Sequence, residues 1–381
     1  MANSQPNIII ALLDKEFLPS HSFVDGMLAK VVAAQDDISV RLVVSKGEQD
    51  TPMRYYRASC IPALFRRRGL GRFLNLFPAM AAIRRGVRDA KRKSARLVVF
   101  VRNDPVLLFA AALMRQQYGR LIFQSSYPHE QGPWWSIKHI FAKALYQMSA
   151  RRVDAITAVS PLGLRRTQRR FPQVRTGEVI PLLADLPTPV APQKRSSDVI
   201  RFIYIGAHTA KRQLHVVVRA AVEARAQRAD IEFLFVGGTP DEITEIQAQA
   251  GLDTSHDRIT FRGKVPRSEI PQLLANADIG LSLIPPLDEY TEASPTKLGE
   301  YMAAGLAVIA SKGIPLQEQY VEQSEGGLLV EWQLDKIKDA ILRLAANRSL
   351  TTQLQHNARA YAMKSLQYEQ YMDRFERLLS S

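Results

Sequence analysis

Residues 292–305 read Glu292-Ala293-Ser294-Pro295-Thr296-Lys297-Leu298-Gly299-Glu300-Tyr301-Met302-Ala303-Ala304-Gly305. Ser294 is a favoured helix N-cap, and Pro295 suits the first helical position, where its missing N–H costs nothing. Gly305 is a stop. The spacing predicts a helix over 295–304, about 15 Å long at about 1.5 Å per residue. Apolar runs at 279–284 and 307–310 flank it and read as strands. A short helix that follows a strand, with free amides at Thr296, Lys297 and Leu298, forms an anion site. Glu292 and Glu300 would repel a phosphate in direct contact. They are better suited to accept hydrogen bonds from hydroxyls on either side, a sugar on one flank and a ribose on the other.

Outward from this stretch, the 381-residue chain is too long for one ordinary domain. With 46% hydrophobic and 23% charged residues it is globular rather than disordered. Its one cysteine, Cys60, excludes an internal disulfide and a four-cysteine zinc site. Short apolar runs at 7–13, 38–44, 97–101, 121–124 and 154–160 alternate with helical segments at 23–34 and 106–117. That is the βαβ rhythm of a doubly wound parallel sheet. It breaks at 186–197, where three prolines and two serines read as a linker, and restarts at 200–205. The organisation predicted is an N-terminal domain at 1–187, a linker at 188–198 and a C-terminal domain at 199–360. An amphipathic segment at 361–381 completes it. Two α/β halves facing across a cleft would bind ligands at the carboxyl ends of their strands.

Glu292, Glu300 and the following Tyr301-Met302-Ala303-Ala304-Gly305-Leu306-Ala307-Val308-Ile309-Ala310-Ser311 resemble the signature of the retaining GT-B glycosyltransferases of family 4, the glycosyl transferases group 1. The likeness continues through Tyr204-Ile205-Gly206, Phe235-Val236-Gly237-Gly238, Phe261-Arg262-Gly263-Lys264-Val265-Pro266 and Ala277-Asp278-Ile279. It covers 200–330 well, and earlier only 155–161 matches clearly.

The resemblance implies an α/β GT-B fold of two Rossmann-like domains and a nucleotide diphosphate sugar as co-substrate, with no metal and no resident cofactor. Glu300 would bind the ribose, Glu292 the donor sugar, and the backbone of Ser294, Pro295, Thr296, Lys297 and Leu298 the distal phosphate. Arg262, Gly263, Lys264 and Val265 would line the base. After Gly206 the family commonly shows an Arg, here replaced by Ala207, and a Lys six residues after the Gly. Arg212 first and Lys211 second are the cations expected to meet the leaving diphosphate. His129 stands where the family places a His that reaches the donor. The family's Gly-Gly loop after the first strand is replaced by 18–23, and the last segment is expected to brace the N-terminal domain.

The chain carries 51 Lys+Arg against 37 Asp+Glu, a net of +14. Residues 1–190 hold 29 and 13 of these (+16), and the remaining 22 and 24 give −2, so the excess belongs to the first half. Arg66, Arg67, Arg68, Arg72, Arg84 and Arg85 punctuate a Leu- and Phe-rich run, as an amphipathic surface on anionic lipid requires. Trp134 and Trp135 fit the same membrane or acceptor surface, or equally a core. Charge runs are often merely solvated faces. No run of about 18 apolar residues spans a bilayer, and 1–6 lack the positive region of a signal peptide. The expected location is cytoplasmic, peripheral on the inner face of the membrane, with a glycan or lipid-linked glycan as acceptor in envelope or exopolysaccharide synthesis. Two other readings are a silent sugar- or nucleotide-binding protein on this fold and a basic nucleic-acid-binding protein. The second lacks recognisable groove-reading elements and leaves 292–305 unexplained, so no nucleic-acid partner is expected.

Overall fold

The computed structural model describes residues 7–16, 27–34, 37–45, 54–55, 58–65, 69–126, 137–183, 199–252 and 258–380. The expected linker at 188–198, the 18–23 loop, His129, Trp134, Trp135, Arg66, Arg67 and Arg68 lie outside the described residues.

The chain divides into two compact units, residues 1–182 with 368–381, and residues 183–367. The helix Arg348–Ser365 runs through position 360, so the division falls after that helix and not within it.

Among the described residues the first unit contains eight strands: β1 (Asn7–Glu16), β2 (Ile38–Ser45), β3 (Arg54–Tyr55), β4 (Ala58–Leu64), β5 (Arg96–Arg102), β6 (Arg120–Ser125), β7 (Ala155–Ala158) and β8 (Thr176–Val179). Their order is β3-β4-β2-β1-β5-β6-β7-β8, parallel throughout except for the β3–β4 edge pair. Ile8, Ile9, Ile10, Val98, Val99 and Phe100 are at most 1% exposed, because a parallel sheet clad on both faces buries both side-chain sets. The helix expected over 106–117 is shorter, Pro105–Leu113, followed by a 3-10 turn at Arg115–Gln117. Asp104 caps it, accepting from the amides of Val106 (2.7 Å) and Leu107 (3.0 Å). The C-terminal helix Met372–Ser380 packs on this unit: Phe375 lies 6.3 Å from Phe100, and Arg377 binds Glu178 at 2.7 Å.

The second unit contains β9 (Ile200–Ile205), β10 (Ile231–Val236), β11 (Ile259–Arg262), β12 (Ile279–Ser282), β13 (Ala307–Ser311) and β14 (Gly327–Val330). All pair in parallel, in the order β11-β10-β9-β12-β13-β14. This is the dinucleotide-fold order. Its topological switch point lies between β9 and β12, where the connections depart in opposite directions and leave a crevice beyond the strand ends.

Candidate functional site

Three segments meet at that switch point: 206–213 after β9, 283–295 after β12, and the helix Thr296–Ala303. The helix is clamped to the sheet by Tyr301. Its hydroxyl accepts from the Ile205 amide at 2.7 Å, and the ring lies on Gly280, where an added Cβ would stand 2.5 Å from Tyr301 Cγ. Full burial pushes the Tyr301 phenol well above its ordinary pKa, so it stays a neutral hydrogen-bonding group. The helix ends as the sequence predicts. Gly305 has φ +81°, its amide donates to Met302 O, and the Leu306 amide donates to Tyr301 O, a Schellman pair.

Its start differs from expectation by one residue. Pro295, not Ser294, occupies the cap position, with φ −80° and ψ 70°. That is an inverse γ-turn, and it closes when the Thr296 amide donates to Ser294 O at 2.9 Å. The Thr296 amide is therefore already used, a correction to the three free donors expected. Those of Lys297 and Leu298 take no backbone acceptor among the described residues.

The two glutamates flank this helix start in different settings. Glu292 is 2% exposed. Glu300 is half-buried, and its Oε2 receives Lys297 Nζ at 2.7 Å, one turn away on the same face. Leu298 is fully buried, so only its backbone can face a ligand.

The two expected cations are not equivalent. Lys211 Nζ binds Glu289 Oε2 at 2.7 Å, and that carboxylate raises the lysine's pKa. Arg212 lies with its guanidinium carbon 4.3 Å from the Tyr290 ring centroid and takes no carboxylate partner among the described residues. The positive φ of Gln213 (+48°) ends the 3-10 turn Ala210–Arg212 and starts the helix Leu214–Gln227. The loops after β9 and β12 are thus tied to each other twice, by an ion pair and by a cation on a ring.

On the other side of Gly206, the glycines after β10 allow a close backbone approach. A Cβ on Gly237 (φ +127°) would stand 2.0 Å from Gly206 O, and one on Gly238 (φ +76°) 2.7 Å from His208 Cβ. Gly237 donates to Arg262 O at 2.9 Å. The Arg262 side chain is paired with Glu269 at 2.5 Å, while Gly263 opens toward Gly238 O, 3.9 Å from where its Cβ would be. Lys264 is exposed and Val265 half-buried.

His208 is the participant that sequence reasoning missed. It is 2% exposed, with Nδ1 2.9 Å from Gly206 O. A carbonyl only accepts, so Nδ1 carries the proton and Nε2 is left as an acceptor. Burial holds the imidazole below its ordinary pKa and keeps it neutral. The only sequence signal was its place two residues after Gly206.

In the first unit, Arg102 ends β5 and Asn103 and Asp104 follow it at the corresponding switch point, beside β1, and all three are buried. Asn103 (φ +60°) exchanges hydrogen bonds with Ser126, as Nδ2 to Oγ at 2.6 Å and from the Ser126 amide to Oδ1 at 2.8 Å. Arg72 is turned inward onto Asp104 in an ion pair. Arg84 and Arg85 are exposed on the helix Leu76–Arg92.

Residues 200–347 match the family model described as glycosyl transferases group 1. No curated protein matches the sequence. Among solved structures, sucrose-phosphate synthase from Thermosynechococcus elongatus superposes with a TM-score of 0.72 at 18% identity, over 99% of this chain and 98% of that one. HepE from Anabaena, solved with UDP and glucose, gives 0.67 at 18% identity over 98% and 99%. WaaG, a glycosyltransferase involved in lipopolysaccharide biosynthesis, gives 0.67 at 15% over 96% and 98%. At these identities the likeness is one of fold, and that fold is GT-B.

Proposed function

From the match of residues 200–347 to the glycosyl transferases group 1 model and from the GT-B fold, we propose that this chain is a glycosyltransferase that transfers a sugar from a nucleotide diphosphate sugar with retention at the anomeric carbon. The observation that carries the reading is the convergence at one switch point of a helix start with two open amides, a buried Glu292, a half-buried Glu300 and an Arg212 without a carboxylate partner among the described residues. The amides of Lys297 and Leu298 receive the distal phosphate. Glu300 accepts from the ribose hydroxyls and Glu292 from the hydroxyls of the donor sugar. Arg212 meets the charge that grows on the departing diphosphate, with Lys211 beside it. The leaving phosphate itself assists attack from the same face.

The donor half of this reading draws support from HepE, which binds UDP and glucose. Glu300→Gln is expected to raise KM for the nucleotide sugar about tenfold with a smaller change in kcat, since a neutral amide is a weaker acceptor for two hydroxyls. An unchanged KM would remove Glu300 from the ribose. Proton NMR of the first-formed product reads the anomeric configuration directly.

The acceptor is a glycan or lipid-linked glycan, and the first unit rests on an anionic membrane surface. Its surface supports this. Phe77 is 72% exposed, Ile140 58% and Phe141 47%, and Phe141 touches Phe73 edge-on at 6.0 Å. On the helix Leu76–Arg92, Phe77, Arg84, Arg88 and Lys91 fall opposite the buried Ala79, Ile83, Gly86 and Ala90. Apolar side chains ringed by unburied cations suit a lipid interface. No helix among the described residues is long and apolar enough to cross a membrane. Vesicle sedimentation should show binding that rises with the anionic lipid fraction and falls with salt. Indifference to both would remove the membrane from the proposal.

A further inference from the structure

One flank of the helix Leu76–Arg92 borders a cavity of about 290 Å³ within the first unit. Its floor is apolar, formed by Ile10 of β1, Val43 of β2, Ile61 of β4 and Ala82 of the helix. Its rim is almost entirely guanidinium: Arg85, Arg88 and Arg92 from the helix and Arg41 from β2, with Asp89 as the one carboxylate.

Charge is badly balanced there. Asp89 is committed to Arg41 at 2.5 Å, and that contact holds its carboxyl below the usual carboxylate range. Arg85, Arg88 and Arg92 form no salt bridge among the described residues, Arg92 only sharing the field of Asp89 with Arg41, so four cations surround one anion. Arg85 and Arg88 are three apart and Arg88 and Arg92 four apart, spacings at which like charges repel along a helix. The negative end of the helix dipole accounts for Arg92, which lies in the last turn. It does not reach Arg85, two turns earlier.

Three guanidinium forks around an apolar floor match a phosphate, which each fork can engage with two parallel N–H donors. The volume lies at the small end of ligand pockets, roughly 300–1,000 Å³. It suits a phosphate with a few carbons better than a nucleotide. The floor residues Ile10, Val43 and Ile61 lie inside β1, β2 and β4, whereas ligands of doubly wound sheets bind beyond the carboxyl ends. The site is therefore separate from the sugar-transfer chemistry, and its standing does not depend on the transferase reading.

We propose that this cavity is an accessory phosphate site, taking a phosphate monoester or diester joined to a short apolar group, supplied by a lipid headgroup or by a free phosphate compound. The test uses the full chain labelled at isoleucine δ-methyls and observed by NMR. It is titrated with inorganic phosphate, with glycerol 3-phosphate and with a short-chain phosphatidylglycerol below its micelle concentration. Saturable shifts of Ile10 and Ile61 are expected. A phosphatidylglycerol that binds about tenfold more tightly than glycerol 3-phosphate assigns the lipid as the source, and equal affinities assign the free compound.

The double variant Arg85→Gln, Arg88→Gln should weaken glycerol 3-phosphate binding about tenfold or more, since it removes two charge-assisted contacts. Arg84→Gln removes one charge from a residue of the same helix that does not line the cavity and should leave the affinity within about twofold. Gln is a good helix former, so neither change disfavours the helix. Three results would each overturn the site: no shift at Ile10 or Ile61 at millimolar ligand, shifts confined to Ile205 beside the second unit's loops, or equal weakening by the Arg84 variant and the double variant.

Discussion

Alanine in place of Arg212 is expected to lower kcat by about 100-fold while KM for the nucleotide sugar changes by only a few-fold. The size follows from removing one preorganised cation from the place where charge develops in the transition state. The asymmetry between kcat and KM follows because the diphosphate carries more charge as it leaves than while it is bound. The geometry explains why a neighbour cannot take over. Lys211 is held by Glu289 at 2.7 Å, whereas Arg212 is steered only by the face of Tyr290 at 4.3 Å, which orients the guanidinium without neutralising it. Lys211→Ala should therefore cost no more than about tenfold, since half its field is already spent on Glu289. Steady-state rates on the two variants decide the ranking. A larger loss for Lys211 would reverse the roles given to the two cations.

Much of the second unit was legible because its signals are local. Apolar-rich runs mark β9, β10, β12 and β13, the last two buried throughout, and Gly305 marks the stop after the signature helix. Two similar α/β halves and the GT-B fold follow from that rhythm and from the resemblance over 200–330. Three strands at or next to a sheet edge were not legible. In β8 every residue is half-buried, in β14 three of four are, and β4 carries Pro62 opposite Val44 of β2. None of these gives the apolar run or the strict alternation by which a strand is recognised. The helix start was misplaced by one residue because an inverse γ-turn at Pro295 leaves no mark that separates it from proline at the first helical position.

Site residues divide along the same line. Glu292, Glu300, Lys211 and Arg212 belong to recognisable stretches. His208 owes its role to Gly206, Gly238 and Phe261, whose 6.5 Å edge contact and close backbone approach arise only when three strand ends are brought together. The inward turn of Arg72 onto Asp104, 32 residues away, is of the same kind. A charge count placed this arginine with the outward basic surface, and the fold spends it on a helix cap.

The second large effect is expected at Gly237. Its φ of +127° is a conformation that side-chain-bearing residues rarely adopt, and a Cβ there would meet Gly206 O at 2.0 Å and Gly206 C at 3.1 Å. Neither atom is the end of a flexible side chain. Gly206 is fixed by its amide's bond to Val236 O at 3.0 Å, and Gly237 by its own bond to Arg262 O at 2.9 Å. Relief therefore requires the ends of β9, β10 and β11 to move together. Gly237→Ala is expected to destabilise the second unit by about 3 kcal/mol, from backbone strain plus overpacking. At about 2–4 °C per kcal/mol for a unit of this size, its melting should fall by roughly 10 °C. Gly251→Ala is the matched comparison: φ is +67° and nothing lies within 4 Å of the added Cβ. Only the left-handed backbone is then penalised, by about 1–2 kcal/mol. Calorimetry on the two variants separates strain from contact. Because Gly206 and His208 move with Gly237, its variant should also lose nucleotide sugar binding, whereas Gly251→Ala should keep it. Equal melting and equal binding in the two would mean that the Gly206–Gly237 approach is soft and does not position the donor loops.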